Sequence, residues 1–195
     1  MPNSYIESLE LTSELDAVNA ILGSVGESPI VSLDDSFVDA EMARDLLRQR
    51  LRAVQLKGWT FNTEKDFPLV PDNQGRIFLP ANTLKHVFDN KDLVARGSQV
   101  YDRAKHTHTF TDDIIARELV LLLPFDECPE AMRLFVTVQA GRRFQDRYQG
   151  SPDLHRFQSN DEVGAWASLL NYEADVAEWN LLNRSELNYR LKLRR

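Results

Sequence analysis

Apolar residues at positions 15, 18, 21, 22 and 25 fall on one helical face. Ser13 and Asp16 fit a capping box ahead of that stripe, Gly26 suits a left-handed stop, and Pro29 prevents resumption. The pattern predicts a helix over 13–25. A second stripe (Ala43, Leu46, Leu47, Leu51, Val54) predicts a helix from Val38 to Lys57, with Ser36 and Asp39 as its capping box and Gly58 as its stop. A third helix is expected from Pro129, well placed for a first turn, to the Gly150-Ser151-Pro152 break, with Met132, Phe135, Val136, Ala140 and Phe144 facing inward. A fourth is expected from Asp161 to Asn183, opened by Ser159 and Glu162. Its stripe is Val163, Trp166, Leu169, Leu170, Val176 and Ala177, interrupted by Glu173.

The period changes over residues 59–123. Short extended runs alternate there with Pro, Gly, Asn and Asp. Expected strands are Trp59–Thr63, Arg76–Leu79, His86–Phe88, Leu93–Arg96, Gln99–Tyr101 and Ile115–Leu123. The expected fold class is therefore α+β: a four-helix bundle-like domain (1–58 and 124–184) with an inserted antiparallel β domain (59–123). The terminal segment 185–195 has period two, with Leu187, Tyr189, Leu191 and Leu193 alternating with Asn188, Arg190, Lys192 and Arg194. It reads as a strand that pairs either with this chain's own sheet or with a neighbour.

Composition narrows the function. With 195 residues and 43% hydrophobic content, the chain can bury a core. A net charge of −7 disfavours broad nucleic-acid binding. The single cysteine, Cys128, excludes an internal disulfide and suits a reducing cytoplasm. A buried structural thiol is expected there. The Met-Pro-Asn-Ser-Tyr start lacks signal-peptide character, and no apolar run approaches membrane-spanning length, so no membrane association is expected.

Candidate chemistry is sparse. The acid pairs Asp34-Asp35, Asp112-Asp113, Asp126-Glu127 and Asp161-Glu162 stand at turns and expected helix starts, where carboxylates cap free N–H groups. Paired carboxylates can also hydrolyse glycosides when they face each other across a cleft. His106 and His108 offer half a metal site without zinc-type spacing. Phosphate-binding Gly-rich and Gly-x-Ser-x-Gly motifs are absent. No catalytic residue, cofactor or metal is therefore expected. Arg142, Arg143 and Arg147 form a basic cluster that either complements a helix dipole or docks an acidic partner. Trp179 falls off the expected core stripe, which makes it the tryptophan best suited to a subunit contact.

Several segments, in order, resemble a known family. They are Leu15–Leu22 with Gly26-Glu27-Ser28-Pro29, then Gly58-Trp59-Thr60-Phe61-Asn62, Val100–Arg103, Asp126–Glu130 and Arg143–Pro152. This set is similar to the tail tubular protein A family, the adaptor or gatekeeper proteins of short-tailed podophages. The stretch from Thr63 to Gly97 and the tail after Leu181 resemble the family much less.

The resemblance implies a helical domain with a β insertion. It implies a dodecameric ring in the virion tail, between the portal protein and the nozzle formed by tail tubular protein B, with synthesis in the host cytoplasm. An isolated chain can stay monomeric until a portal is present. The ring would retain the genome and conduct DNA through its lumen without reading sequence. An acidic protein suits that task, because a basic wall would hold the polyanion. The family offers no catalytic residues. The expected contacts are Trp179 and the tail residues Leu187, Tyr189, Arg190, Leu191, Lys192, Leu193 and Arg194. The alternative function is hydrolysis of host surface polysaccharide by an acid pair, with Asp112 and Asp113 as the first to test.

Overall fold

The structure is a computed structural model and describes residues 11–34, 37–148 and 152–182; at 148, 152–159 and 178–182 it describes the backbone alone. Among the described residues there are four α-helices: α1 (Glu14–Gly23), α2 (Val38–Gln55), α3 (Glu130–Tyr148) and α4 (Pro152–Leu182). Five strands lie between α2 and α3: β1 (Thr63–Leu69), β2 (Thr83–Phe88), β3 (Leu93–Arg96), β4 (Gln99–Asp102) and β5 (Ile114–Leu121). The fold class is α+β. The chain divides into two compact units, residues 1–51 with 124–195 and residues 52–123.

In the first unit α1 packs on α3, and α3 packs on α4. The inward residues of α1 (Ala17, Val18, Ile21, Leu22) and of α3 (Met132, Phe135, Val136, Ala140, Phe144) are all buried. The capping box forms as the sequence predicts: the Ser13 hydroxyl accepts from Asp16 N–H, and the Asp16 carboxylate accepts from Ser13 N–H at 3.0 Å. The Ser13 hydroxyl, donating to the Asp16 carboxylate at 2.6 Å, and then the Ser13 N–H hold the Asp16 carboxyl below its usual pKa. At the other end, Glu27 N–H donates to Leu22 C=O (3.1 Å) and Gly26 N–H donates to Gly23 C=O (3.1 Å). This is a Schellman arrangement, with Gly26 at φ 84° supplying the left-handed residue.

The second unit holds an antiparallel three-stranded sheet in the order β1-β5-β2, and a separate β3-β4 hairpin. Its core is Leu69, Ile77, Leu79, Val100, Ala116 and Leu119.

Several expectations change. Residues 60–62 form a 3-10 turn, and the strand begins only at Thr63. Arg76–Leu79 supplies two isolated bridges, Arg76 to Thr109 and Phe78 to Gln99, with no continuous ladder. The fourth helix starts at Pro152, nine residues before the expected Asp161, so Ser159 lies inside it and not at its start. Proline in a helical first turn needs no N–H partner, so the same residue that bars one helix can open the next. Along α4, Leu169 is buried and Trp166 packs its ring 4.9 Å from that of Phe135, but Val163 (66%) and Leu170 (43%) are exposed. The expected strand-like tail (185–195) and the Ser36 cap lie outside the described residues.

Candidate functional site

Three polar networks lie in or beside the family-like segments. In α1, Asn19 faces the chain that follows the helix. Its Nδ2 donates to Ile30 C=O (3.0 Å), and its Oδ1 accepts from Ile30 N–H (2.8 Å). The side-chain amide thus pairs with one residue as a neighbouring strand would. Glu14, on the same helix, holds Arg44 of α2 at 3.0 Å and Arg48 at 3.5 Å.

A second network is built on Gly58–Asn62. Gly58 has φ 81°, and a Cβ there would meet Val120 Cγ2 at 3.0 Å. Trp59 is buried and its indole N–H donates to Val54 C=O at 2.8 Å. Asn62 is also buried. Its Oδ1 accepts from Trp59 N–H (2.8 Å), and its Nδ2 donates to the carbonyls of Gln55 (3.1 Å) and Leu121 (2.8 Å). Gln55 completes the group: Nε2 donates to Leu123 C=O (2.9 Å), and Oε1 accepts from Leu123 N–H (2.8 Å). These bonds join the first residues of the second unit to its last.

A third network surrounds Arg133, buried in α3. Nε donates to Cys128 C=O (2.8 Å), Nη1 to Thr12 C=O (2.7 Å) and Nη2 to Asp126 C=O. Glu130 accepts from Thr12 N–H (3.1 Å), and Asp126 accepts from Glu14 N–H (3.3 Å) at the start of α1. Cys128 is buried with Sγ 3.4 Å from Pro124 C=O. Burial pushes its thiol pKa up to about 12, against the opposing charge of Arg133. It holds no thiolate at neutral pH and is chemically quiet.

The candidate reactive groups occupy unremarkable places. Asp112 accepts from the Thr111 hydroxyl (2.9 Å) on an exposed turn. His106 sits in a turn at φ 53°, while His108 packs against Tyr101 with its Nδ1 3.1 Å from Val100 C=O. Among the described residues no three His, Cys, Asp or Glu side chains converge on a possible metal position. No helix among them is long and apolar enough to cross a membrane.

Two surface features stand out in the first unit. A pocket of about 300 Å³ lies between α3 and α4, lined by Gln139, Arg142, Arg143, Asp146, Arg147 and Glu162. Glu162 accepts from Gln139 (2.9 Å) and pairs with Arg142. Separately, Val31, Phe37 and Val38 are strongly exposed ahead of and at the start of α2.

A family model described as "Tail tubular protein" matches residues 15–179. The chain belongs to the tail tubular protein family. It is therefore a structural component of a phage tail. Among curated proteins, the tail tubular protein A of Klebsiella phage KP34 is 31% identical over 127 residues, covering 63% of this chain and 66% of that protein. The chain thus spans slightly less than two thirds of that relative's length.

For this tail tubular protein, Trp179 lies in α4 by its backbone, and its side chain is outside the described residues. So are Leu187, Tyr189, Arg190, Leu191, Lys192, Leu193 and Arg194. Sequence reasoning missed Asn19, Gln55 and Arg133 as anchors. The available signal was an amide or guanidinium on the inner face of a helix, where a buried polar group needs partners.

Proposed function

We propose that this chain is the tail adaptor of a short-tailed phage. Copies form a ring, a dodecamer by resemblance, between the portal protein and the nozzle of tail tubular protein B. The ring retains the packaged genome and conducts DNA at ejection. The observation that carries this reading is the family match over residues 15–179, which takes in both compact units.

The geometry is compatible with a role that is not enzymatic. Asn19, Asn62, Asp126 and Glu130, within the family-like segments, all hold backbone groups. Function then lies in the surfaces that these bonds keep in place. The helical part (1–58 and 124–184), the β insertion (59–123) and the tail (185–195) are the proposed functional divisions. Trp179 and residues 187–194 are the proposed contacts with neighbours or portal. A chain ending at Asn183 tests the tail's part: it should fail to join a portal ring, and unimpaired joining would leave the tail without a docking role.

A further inference from the structure

The α3–α4 pocket holds more positive charge than its own carboxylates balance. Arg142 is committed to Glu162. Neither Arg143 nor Arg147 forms an ion pair among the described residues. Arg50, arriving from α2, does not line the pocket but lies within electrostatic reach of Arg143, Glu162 and Arg147. Its Nε is buried and has no hydrogen-bond acceptor among the described residues. Burial and the charge of Arg143 lower its pKa, Glu162 opposes this, and Arg147 adds to it. A cluster of like charges repels itself until an anion arrives.

We propose that Arg143 and Arg147 form an oxyanion site for carboxylate side chains of a second copy of this chain. The proposal rests on the self-assembly reading above. Charge complementarity selects the occupant. The chain carries 30 acids against 23 Lys and Arg, so identical copies repel unless a basic patch meets an acidic one. Glu41 and Asp45 supply the acidic patch. They are exposed, one turn apart on α2, and form no ion pair among the described residues. Glu41 stands nine residues before Arg50, roughly 13 Å along the helix at 1.5 Å per residue. Neither acid lines the pocket, so the two patches are distinct, and joining one to the other is compatible with a head-to-tail contact that repeats from copy to copy. A nucleic-acid backbone is the poorer occupant: Asp146 and Glu162 in the lining repel a run of phosphates.

The test uses the full chain mixed with portal rings, followed by sizing. Arg143→Glu with Arg147→Glu should raise the concentration needed for assembly at least tenfold, and so should Glu41→Lys with Asp45→Lys. Combining all four changes should restore assembly, because complementarity returns with its sign reversed. Circular dichroism and Tm identify folded variants, and Arg143→Gln with Arg147→Gln serves if the reversals unfold. Folded variants that assemble like wild type overturn the site while leaving the ring reading intact. Wild type that never assembles overturns both. A variant with normal assembly but weakened binding of a short DNA duplex assigns the pocket to phosphate and also overturns the proposal.

Discussion

Gln55 and Leu123, 68 positions apart, are joined by two hydrogen bonds, from Gln55 Nε2 to Leu123 C=O and from Leu123 N–H to Gln55 Oε1. One side chain satisfies both backbone groups of the residue at which the β-containing unit ends. Replacing Gln55 by Leu keeps its bulk and strands both groups, along with one contact of Asn62. The expected loss is about 2–4 kcal/mol in urea unfolding, since each unsatisfied buried group costs ~1–3 kcal/mol.

Arg133 should tolerate no other cation. Lysine offers a point charge and cannot reach three separated carbonyls in the plane a guanidinium uses. Arg133→Lys should cost about 2–3 kcal/mol, and Arg133→Met at least as much, because the carbonyls of Thr12, Asp126 and Cys128 lose their donor. Denaturant titration of both variants checks this.

Two glycines separate backbone strain from steric conflict. Gly26 and Gly58 share φ near 80°, but a Cβ at Gly26 meets nothing within 4 Å, while one at Gly58 meets Val120 and Thr63. Gly26→Ala should cost about 1 kcal/mol from the left-handed conformation alone, and Gly58→Ala clearly more. Equal Tm shifts for the two would contradict the close packing of Gly58 against Val120.

Cys128 reports unfolding. With its pKa near 12, the native thiol should not react with a disulfide reagent at pH 8. Labelling should follow the unfolding curve in denaturant. Fast labelling of native protein would show that the segment around Pro129 opens on its own.

His86 introduces a mild acid sensitivity. Burial lowers its pKa from 6.5. The unfolded chain then binds the proton more readily, so the stability it contributes is present above pH 6.5 and lost as pH falls through the folded value. His86→Gln should flatten the fall in Tm between pH 7 and 5.5. Parallel Tm profiles for the two proteins would assign the fall elsewhere.

Much of the helical scaffold was legible because caps and 3.6-residue periodicity are local: Ser13, Asp16, Gly26 and Gly58 do what their types predict. The hairpin strand Leu93–Arg96 was legible because the turn residues Asp89-Asn90-Lys91-Asp92 precede a short extended run. β1 was not. It runs Thr-Glu-Lys-Asp-Phe-Pro-Leu, with Asp66 at φ 52° and Pro68, and neither residue favours a strand; pairing with β5 overrides both. The start of α4 was misread because Pro152 can block or begin a helix, and only the surrounding structure decides. The anchors Gln55, Asn62 and Arg133 were hidden for another reason: several of their partners lie 59 to 121 residues away in the chain. The basic cluster was visible in α3, but the approach of Glu162 from α4 depends on the tertiary fold.

The central claim is that this tail tubular protein assembles as a ring on a portal. Sizing of the purified chain alone, and then mixed with purified portal rings, tests it most directly. The mixture should contain a larger complex in which copies of this chain match the portal's symmetry, whatever the state of the chain alone. Portal rings that elute unchanged, with this chain still monomeric beside them, would contradict it.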